Sequence, residues 1–385
     1  MKNQFAVSIL VPTHNRSKYA ISCLQSLLAI NDRGVQVVFH DTSNDGCELK
    51  QFASTLNDDR LTYVHHAERL SMTGNHEAAL AYAKGEFVCL IGDDDTVLPA
   101  ITKAVEIARE QNVDSLVPIL SANYSWPDFR TIFFGDAHAG RLYLGKYSAD
   151  IRSHNTSRSL DAGLRNAFQG TDGLPKLYHG LVRREVIERI RLRNGQFFYG
   201  TSPDASAAVS LSLELDRYCT WDFPFTLPGA SGGSNTGRSA LNKHKGDFKT
   251  DPHMAAFKNV EWDDVIPKFF SVETVWANAA WETLRRTSPD HMSHFNLNRL
   301  YALCLLKHRE YQPQIAAAIE SASRHPGLDV RKVGIGAEIA RAFVLNAVAK
   351  AKRLTRPSAS GGKAVLGTFK NVEDAQREMQ RRFSS

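Results

Sequence analysis

Residues 86–99, EFVCLIGDDDTVLP, combine the pattern of a buried strand with three consecutive carboxylates. The first six positions, 86–91, are rich in Val, Leu, Ile and Phe and alternate poorly, which is typical of a strand buried on both faces. Gly92 then frees the backbone for a turn. The acids at 93–95 should therefore lie at the carboxyl end of a strand, the edge where open α/β sheets bind ligands.

Three adjacent carboxylates, Asp93, Asp94 and Asp95, repel each other and raise each other's pKa unless a cation joins them. Carboxylate oxygens are preferred ligands of Mg²⁺ and Mn²⁺, so the stretch predicts a divalent metal site that receives phosphate oxygens. A second interpretation stays open, because acids also stabilise the positive end of a helix dipole. Pro99 favours a helix start shortly after the acids.

Alternating strand and helix patterns precede this stretch. Strands are predicted at 7–11, 35–40 and 61–65, and each is followed by apolar residues at helical spacing. This order predicts an α/β fold with a doubly wound, mostly parallel sheet. Asp41 follows the second strand, so it should lie on the same edge of the sheet as the acids at 93–95.

Composition limits the class of protein. The chain has 385 residues, 43% of them hydrophobic, which is enough for a full core. Five cysteines without a CxxC pair favour a reducing compartment and exclude a zinc ribbon. No apolar run reaches the roughly 20 residues that span a bilayer, so we expect a cytoplasmic protein. The net charge of +6 favours anionic ligands, and we expect no nucleic-acid partner.

The second half of the chain has weaker patterns. Residues 130–144 indicate a hairpin around GDAHAG, and the Gly- and Ser-rich stretch 229–247 indicates a mobile loop. In TSPDASAA, Ser202 is the expected helix cap, Pro203 the first helical residue and Asp204 an acid of the first turn. By itself that acid is expected to stabilise the end of its helix.

The chain resembles the family 2 glycosyltransferases of the GT-A fold over about residues 5–240. The resemblance is carried, in order and spacing, by VSILVPTHNR (7–16), VVFHDTSNDG (37–46), LSMTGNHEAALAYAKGEFVCLIGDDDTVLP (70–99) and SPDASAA (202–208). It implies a GT-A catalytic domain at 1–235 and says nothing of the helical third. Composition and apolar spacing predict the other parts: a flexible loop at 236–254, a helical region at 255–355, and a linker with an amphipathic tail at 356–385.

The resemblance also implies roles for the acids. Asp41 is expected to hold the base or ribose of the nucleotide. Asp94 ends the family's DxD element and is expected to ligate a Mn²⁺ or Mg²⁺ ion that bridges the donor's diphosphate. Asp204 is the expected catalytic base. This chain has Gly92 where the common form has an acid. The second metal ligand is taken as Asp95, with Asp93 beside the donor, although their order stays open.

Further donor contacts are expected from the loop after the first strand and from one asparagine. These residues are Pro12, Thr13, Asn15, Arg16 and Asn75. Asn15 has a second interpretation as a turn residue, and Asn75 has one as a helix cap.

A third group is expected near the diphosphate or the acceptor. It consists of His179, Arg183, Arg238, Lys243 and His244. The cations of the Gly-rich loop are suited to cover a diphosphate, but a solvated basic loop fits the same pattern. A structural role for the first two is equally compatible with the sequence.

These expectations combine into an inverting, metal-dependent glycosyltransferase that moves a sugar from a UDP-type donor to a hydroxyl of a sugar or glycolipid, as in surface polysaccharide synthesis. A metal-dependent phosphohydrolase or nucleotidyltransferase and a non-catalytic nucleotide-sugar-binding module are the alternatives. The helical region and the basic tail are compatible with a homodimer, with acceptor recognition or with a peripheral contact at the inner membrane face. For the basic run at 350–356, attraction to anionic lipid and a solvated helix end are the two interpretations, and the sequence favours the second.

Overall fold

The computed structural model describes residues 4–242, 244–248, 251–257, 260–355 and 358–384. The strands are β1 (Phe5–Thr13), β2 (Val35–Asp41), β3 (Leu61–His65), β4 (Gly85–Leu90), β5 (Thr96–Val97), β6 (Ser115–Pro118), β7 (Ala122–Ser125), β8 (Arg141–Leu144), β9 (Ile151–Asn155), β10 (Leu181–Arg183), β11 (Arg217–Trp221), β12 (Thr226–Leu227), β13 (Gly229–Ala230), β14 (Lys245–Gly246), β15 (Phe270–Ser271) and β16 (Ala364–Thr368). The α-helices are α1 (Ser17–Leu28), α2 (Glu48–Ser54), α3 (Met72–Leu80), α4 (Ile101–Glu110), α5 (Thr156–Arg165), α6 (Arg184–Asn194), α7 (Pro203–Glu214), α8 (Asn235–Ala240), α9 (Pro252–Ala255), α10 (Val272–Thr287), α11 (Leu297–Lys307), α12 (Gln312–Arg324), α13 (Lys332–Leu354) and α14 (Val372–Phe383). Two short 3₁₀ helices span Pro289–His294 and Arg309–Tyr311.

The main sheet has eight strands in the order β3-β2-β1-β4-β10-β6-β11-β9. Strands β1, β2, β3 and β4 pair in parallel, whereas β10 runs antiparallel to both of its neighbours. The predicted mostly parallel sheet is therefore confirmed. Because β1 and β4 are neighbours, the loops after them meet at one edge, and the acids of 93–95 lie in one of those loops.

Helices cover both faces of this sheet, as expected for a doubly wound fold. Val7 and Ile9 of β1 point into a core with α1, α2 and α4, whereas Leu10 joins a second core with α6 and α7. This alternation follows from the period of two along a strand. Strands buried on both sides explain why their sequences are almost continuously apolar.

A third core joins α7 to the helical region. It is built from α5, α7, α10, α11, α12 and the first half of α13, around Trp281 and Tyr301, which are nearly inaccessible. The expected C-terminal helical extension is therefore confirmed. Because α7 contributes to this core, the helix that carries Asp204 is fixed from two sides.

The chain returns to the first part of the fold after α13. Strand β16 pairs antiparallel with β8, and α14 packs beside α1. Gln376 of α14 is buried and donates hydrogen bonds to the carbonyls of Ser26 at 2.9 Å and Val97 at 2.7 Å. The stretch expected as a linker and tail thus forms part of a fourth core with β7 and β8.

Two local predictions are wrong. Strand β8 does not form a hairpin within 130–144 but pairs with β7, since the partner strand lies before the predicted turn. The stretch 229–247 is not a loop throughout: it contains α8, and Gly229 and Ser231 are fixed by hydrogen bonds to the acids.

Candidate functional site

A cleft of about 630 Å³ opens at the carboxyl edge of the main sheet. The loop after β1 lines one side with Thr13 and Arg16, and the loop after β4 contributes Asp93 and Asp94. Asp204 lines the same cleft from the amino end of α7. The cleft therefore brings together acids that are separated by more than a hundred residues in the sequence.

Asp94 is held at the floor of this cleft. Its Oδ2 accepts hydrogen bonds from Oγ of Ser231 at 2.6 Å and from the Ser231 N–H at 3.2 Å. Nη2 of Arg16 lies 3.0 Å from the same oxygen. Burial, only partly offset by Arg16, raises the pKa of Asp94 to about 7. Its charge is thus incompletely compensated, which favours binding of a further cation.

Asp93 is fixed beside Asp94 by the loop after β1. Its Oδ2 accepts a hydrogen bond from Oγ1 of Thr13 at 2.6 Å, and its Oδ1 accepts one from Nε of Arg16 at 2.6 Å. Burial lowers the pKa of Arg16, but the neighbouring carboxylates of Asp93 and Asp94 outweigh this effect. The pKa of Arg16 therefore stays above its ordinary value. One guanidinium therefore joins two of the three acids.

Asp95 points into a different environment. Its Oδ2 accepts hydrogen bonds from the N–H of Gly92 at 2.7 Å and from Tyr178 at 2.7 Å, and Nε2 of His179 lies 3.1 Å away. Its Oδ1 accepts one from the Gly229 N–H at 2.7 Å. Burial alone raises the pKa of Asp95, but these donors, His179 foremost, lower it. Asp95 thus organises three segments around the acids.

The close packing of the 229–231 segment against the acids explains why residue 229 is a glycine. A side chain on Gly229 would place its Cβ 1.8 Å from the carbonyl oxygen of Asp94, so only glycine fits there. The indole N–H of Trp126 donates to the same carbonyl at 2.9 Å. Sequence reasoning missed Ser231, Trp126 and Tyr178, because each contacts the acids across a long stretch of chain and carries no local signature.

Asp204 is placed at the first turn of α7, directly after Pro203. It also lines a smaller pocket of about 210 Å³, together with Lys176, His179 and Thr236. Burial raises the pKa of Asp204 to about 6, while His179 and Lys176 counteract this effect. A carboxyl with such a pKa is mostly ionised at neutral pH and is well suited to accept a proton.

The residues present fit a divalent cation at Asp94. Among the described residues, no hydrogen bond to Oδ1 of Asp94 is found, and this oxygen belongs to a residue that lines the cleft. No cluster of three or more His, Cys, Asp or Glu side chains in the described part of the chain forms a complete metal site. Mg²⁺ commonly binds through one or two carboxylates, with phosphate oxygens and water completing its shell.

The donors around the acids do not by themselves select the second ligand. Both oxygens of Asp95 accept from Gly92, Tyr178, His179 or Gly229, and both oxygens of Asp93 accept from Arg16 or Thr13. Asp93 lines the large cleft with Asp94, whereas Asp95 lines the smaller pocket. This position favours Asp93 as the neighbour that assists Asp94, and the assignment of Asp95 as second ligand stays a prediction.

Two residues expected to contact the nucleotide have structural partners. Asp41 is 1% exposed, and its oxygens accept hydrogen bonds from the Tyr63 hydroxyl at 2.6 Å and the Ser43 N–H at 2.8 Å. Asn15 exchanges two hydrogen bonds of 2.8 Å with Asn44. Asn15 links the loops after β1 and β2, which is the turn role that the sequence left open for it. Asp41 holds the turn that follows β2. Neither residue lines the cleft.

Pro12, Thr13 and Asn75 do line the cleft. Oδ1 of Asn75 accepts a hydrogen bond from Nδ1 of His40 at 2.6 Å, and its side-chain amide donates to the carbonyl of Thr13 at 3.0 Å. It is not a helix cap, because Ser71 caps α3. Asn75 therefore supports the backbone of the loop that faces the ligand.

The residues expected near the diphosphate or the acceptor lie in different parts of the structure. His179 lies at the pocket beside Asp204, whereas Arg183 pairs with Glu86 and Asp114 at the start of β4 and serves the sheet. Arg238 and His244 line the large cleft, and Arg238 also pairs with Asp251 at 2.7 Å. Lys243 lies outside the described residues.

The fold and the site define an α/β protein with a cleft at the carboxyl edge of its sheet, where the clustered acids and the carboxylate of Asp204, at the start of a helix, line the same space. Residues 8–155 match the model for glycosyl transferase family 2. The match confirms the resemblance over this part of the chain, and the mostly parallel sheet with helices on both faces is the fold class that the resemblance implied.

Two relatives align with parts of this chain. WcaA of Escherichia coli K12, named as a colanic acid biosynthesis glycosyl transferase, is 33% identical over 100 residues, which are 26% of this chain and 36% of the relative. The glycosyltransferase GlyG of Streptococcus pneumoniae serotype 4 is 25% identical over 117 residues, 29% of this chain and 38% of the relative. The chain thus matches little more than a third of either relative's length.

Solved structures with related folds are more distant. Residues 1–349 of TarS from S. aureus, in complex with UDP-GlcNAc, share 15% identity at a TM-score of 0.44, covering 85% of this chain and 93% of that one. The mannosyltransferase PcManGT from Pyrobaculum calidifontis, with GDP-Man and Mn²⁺, shares 16% identity at a TM-score of 0.42, covering 99% and 87%.

Proposed function

We propose that this protein is an inverting, metal-dependent glycosyltransferase that uses a nucleoside diphosphate sugar, of the UDP type, as donor. The observation that carries the proposal is that Asp94 and Asp204 line one cleft. Both have raised pKa values, about 7 and about 6, because the protein buries them. The glycosyl transferase domain at 8–155 supports the same chemistry.

The proposed reaction uses one carboxylate on each side of the sugar, Asp204 as the base and Asp94 as the metal ligand. The oxygen of the acceptor hydroxyl forms the new bond to the anomeric carbon, while Asp204 accepts its proton. The bond from that carbon to the diphosphate breaks on the opposite face, and the diphosphate leaves with the electron pair. Attack from the face opposite the leaving group inverts the configuration.

Residues around the cleft are suited to the leaving group. Asp94 would hold a Mn²⁺ or Mg²⁺ ion, which supplies Lewis-acid stabilisation to the diphosphate when bound. Arg238, from α8, lines the same cleft and carries positive charge. Such charges stabilise an oxyanion more strongly in a closed cleft than in water.

The acceptor is proposed to be a hydroxyl of a sugar or glycolipid. The smaller pocket, lined by Asp204, His179 and Lys176, is the proposed place for it. Gly229 lines both this pocket and the large cleft, so the two spaces adjoin. An acceptor in the smaller pocket would therefore lie next to a donor in the cleft.

The test starts with a screen of nucleoside diphosphate sugars for Mn²⁺-dependent thermal stabilisation. A ligand at about 100 times its dissociation constant adds about 2.7 kcal/mol to the stability, which is easily measured. With the donor found, Asp204→Asn should lower the transfer rate by about 10²- to 10⁴-fold and leave the dissociation constant of the donor nearly unchanged.

Glu185→Gln is the matched control, because Glu185 is an exposed acid in the first turn of α6, outside the cleft. It should keep full activity. Equal activity of the Asp204→Asn variant would remove that residue from the mechanism. Release of a nucleoside monophosphate instead of the diphosphate would identify a phosphohydrolase or nucleotidyltransferase.

A further inference from the structure

The second half of α13 exposes large apolar side chains. Residues 343–352 are all exposed, and Phe343, Val344 and Leu354 are 61%, 63% and 80% accessible. By contrast, Ile335 in the first half packs into the helical core, and Ala342 is buried. Much of the apolar surface of the second half is therefore not covered by any described part of the chain, although large apolar patches are normally covered.

The exposed half of α13 is amphipathic. At 100° per residue, Phe343, Leu354, Val344 and Val348 lie within an arc of about 140°. Lys350 lies just beyond one border of this arc, and Lys352 lies beyond the other. Lysines that border an apolar face can keep their charged ends in the headgroup layer while that face enters the lipid.

A second exposed apolar group lies beside the end of this helix. The guanidinium carbon of Arg353 lies 5.1 Å from the ring centre of Phe134. The two residues before it, Phe133 and Ile132, are 91% and 53% exposed. The end of α13 and the loop at 130–135 thus form one surface, which we call the α13 patch.

The charge on the exposed half of α13 has one sign. From 339 to 372 the sequence contains no Asp or Glu, and Lys350, Lys352 and Arg353 lie in the second half of the helix. The acid next to the loop, Asp136, is paired with Arg130. An apolar helix with such cations fits an anionic partner. It does not fit a second copy of itself, because the cations of two identical patches would repel each other.

We propose that the α13 patch binds the surface of an anionic phospholipid bilayer. The helix lies in the interface with its apolar arc toward the acyl chains, and the lysines contact the headgroups. None of the described helices is both long and apolar enough to cross the bilayer. The exposed ring of Phe133, on the same patch, would enter the interface between headgroups and acyl chains, where aromatic side chains often anchor membrane proteins.

The patch also adjoins the cleft. The N–H of Ile132 donates to the carbonyl of Ala240, the last residue of α8, at 3.3 Å. Arg238 and Ser239 of the same helix line the large cleft. Membrane binding would therefore bring the cleft near the lipid surface, a suitable position for an acceptor that carries a lipid. The membrane contact itself does not depend on the proposed reaction.

The test is flotation of the full chain with vesicles. Phosphatidylcholine vesicles with about 30% phosphatidylglycerol should carry the protein at about 0.1 M salt and release it at about 0.5 M. Pure phosphatidylcholine vesicles should carry much less. The double variant Lys350→Gln and Lys352→Gln should bind about 25-fold more weakly, since each lysine near the surface contributes a factor of about five.

Phe343→Ser tests the apolar arc and should also weaken binding without unfolding the protein, because the side chain is exposed. Lys103→Gln is the control, since Lys103 is a comparably exposed lysine on α4, and it should bind like the original chain. Equal binding to neutral vesicles, or none to anionic ones, would overturn the proposal. So would a dimer in sedimentation velocity that Phe343→Ser converts to monomer. Transfer to a soluble acceptor is measured separately, so the two proposals can fail independently.

Discussion

Arg16 and Asp94 form a buried ion pair in which Nη2 of the guanidinium lies 3.0 Å from Oδ2 of the carboxylate. The same guanidinium binds Asp93 through Nε at 2.6 Å. The ion pair places one positive charge among three buried acids, which could not remain together as anions without it. The acidic cluster and the loop after β1 are therefore one electrostatic unit.

Replacing Arg16 should destabilise the protein strongly. Arg16→Met leaves Asp93 and Asp94 without their cation, and removing one partner of a buried pair costs about 3–5 kcal/mol. Because the Arg16 side chain is 18% exposed, we expect the lower end of this range. Urea unfolding at neutral pH measures the change. Arg33→Met, which breaks an exposed pair with Asp59, should cost less than about 1 kcal/mol. Similar losses in both variants would contradict the account.

Asp94 and Asp95 should respond differently to metal. Asp94→Asn should weaken Mn²⁺ binding in the presence of UDP by more than about tenfold, because a charged ligand is lost. Asp95→Asn should instead lower the melting temperature, since it disturbs contacts with Tyr178, His179 and Gly229. Titration calorimetry, at a temperature where both variants are folded, separates the two effects. Loss of Mn²⁺ binding only in the Asp95 variant would reverse the assignment.

Asp204→Asn should make the protein more stable at neutral pH. Burial raises the folded-state pKa of Asp204 to about 6, from an ordinary value of 3.8, so the charged form is disfavoured on folding. The stability that this group contributes is complete below about pH 4 and is lost as the pH rises through about 6. The variant should thus gain up to about 3 kcal/mol at about pH 7.5 and little at about pH 4, measured by urea unfolding.

The same carboxyl should set the lower limit of activity, because a protonated Asp204 cannot accept the acceptor's proton. Transfer by the original chain should fall about tenfold per pH unit below about pH 6. A destabilised Asp204→Asn variant at neutral pH would show that the carboxylate serves its helix, and the proposed catalytic role would lose its electrostatic basis.

Gln376 should be essential for docking α14. Gln376→Leu removes a buried donor from the carbonyls of Ser26 and Val97 and should cost about 1–3 kcal/mol in thermal or urea unfolding. The control is Gln380→Leu, an exposed position on the same helix, which should change the stability by less than about 0.5 kcal/mol. Indistinguishable variants would mean that α14 contributes little to the folded state.

Much of the first half of the fold could be predicted because its signals are local. Strand β3 is predicted at the residues where it occurs, and the buried strand β2 within one residue, since both are short runs rich in β-branched, aromatic and apolar residues. The three acids follow such a strand directly. Their position at the carboxyl edge therefore followed from the topology alone.

The partners of the acids could not be predicted in the same way. Ser231 contacts Asp94 across 137 positions, and a segment rich in Gly and Ser gives the same pattern whether it is mobile or packed. The pairing of β16 with β8 joins residues 364 and 144, and nothing near either residue indicates it. Such contacts depend on tertiary packing, which short-range patterns do not encode.

The central claim is that Asp94 and Asp204 act on opposite sides of one donor in one cleft. A crystal of the protein soaked with Mn²⁺ and the nucleoside diphosphate sugar found by the screen tests it most directly. We expect the metal and diphosphate at Asp94, with the anomeric carbon facing Asp204. A donor bound outside the cleft, or a diphosphate lying against Asp204, would contradict the account.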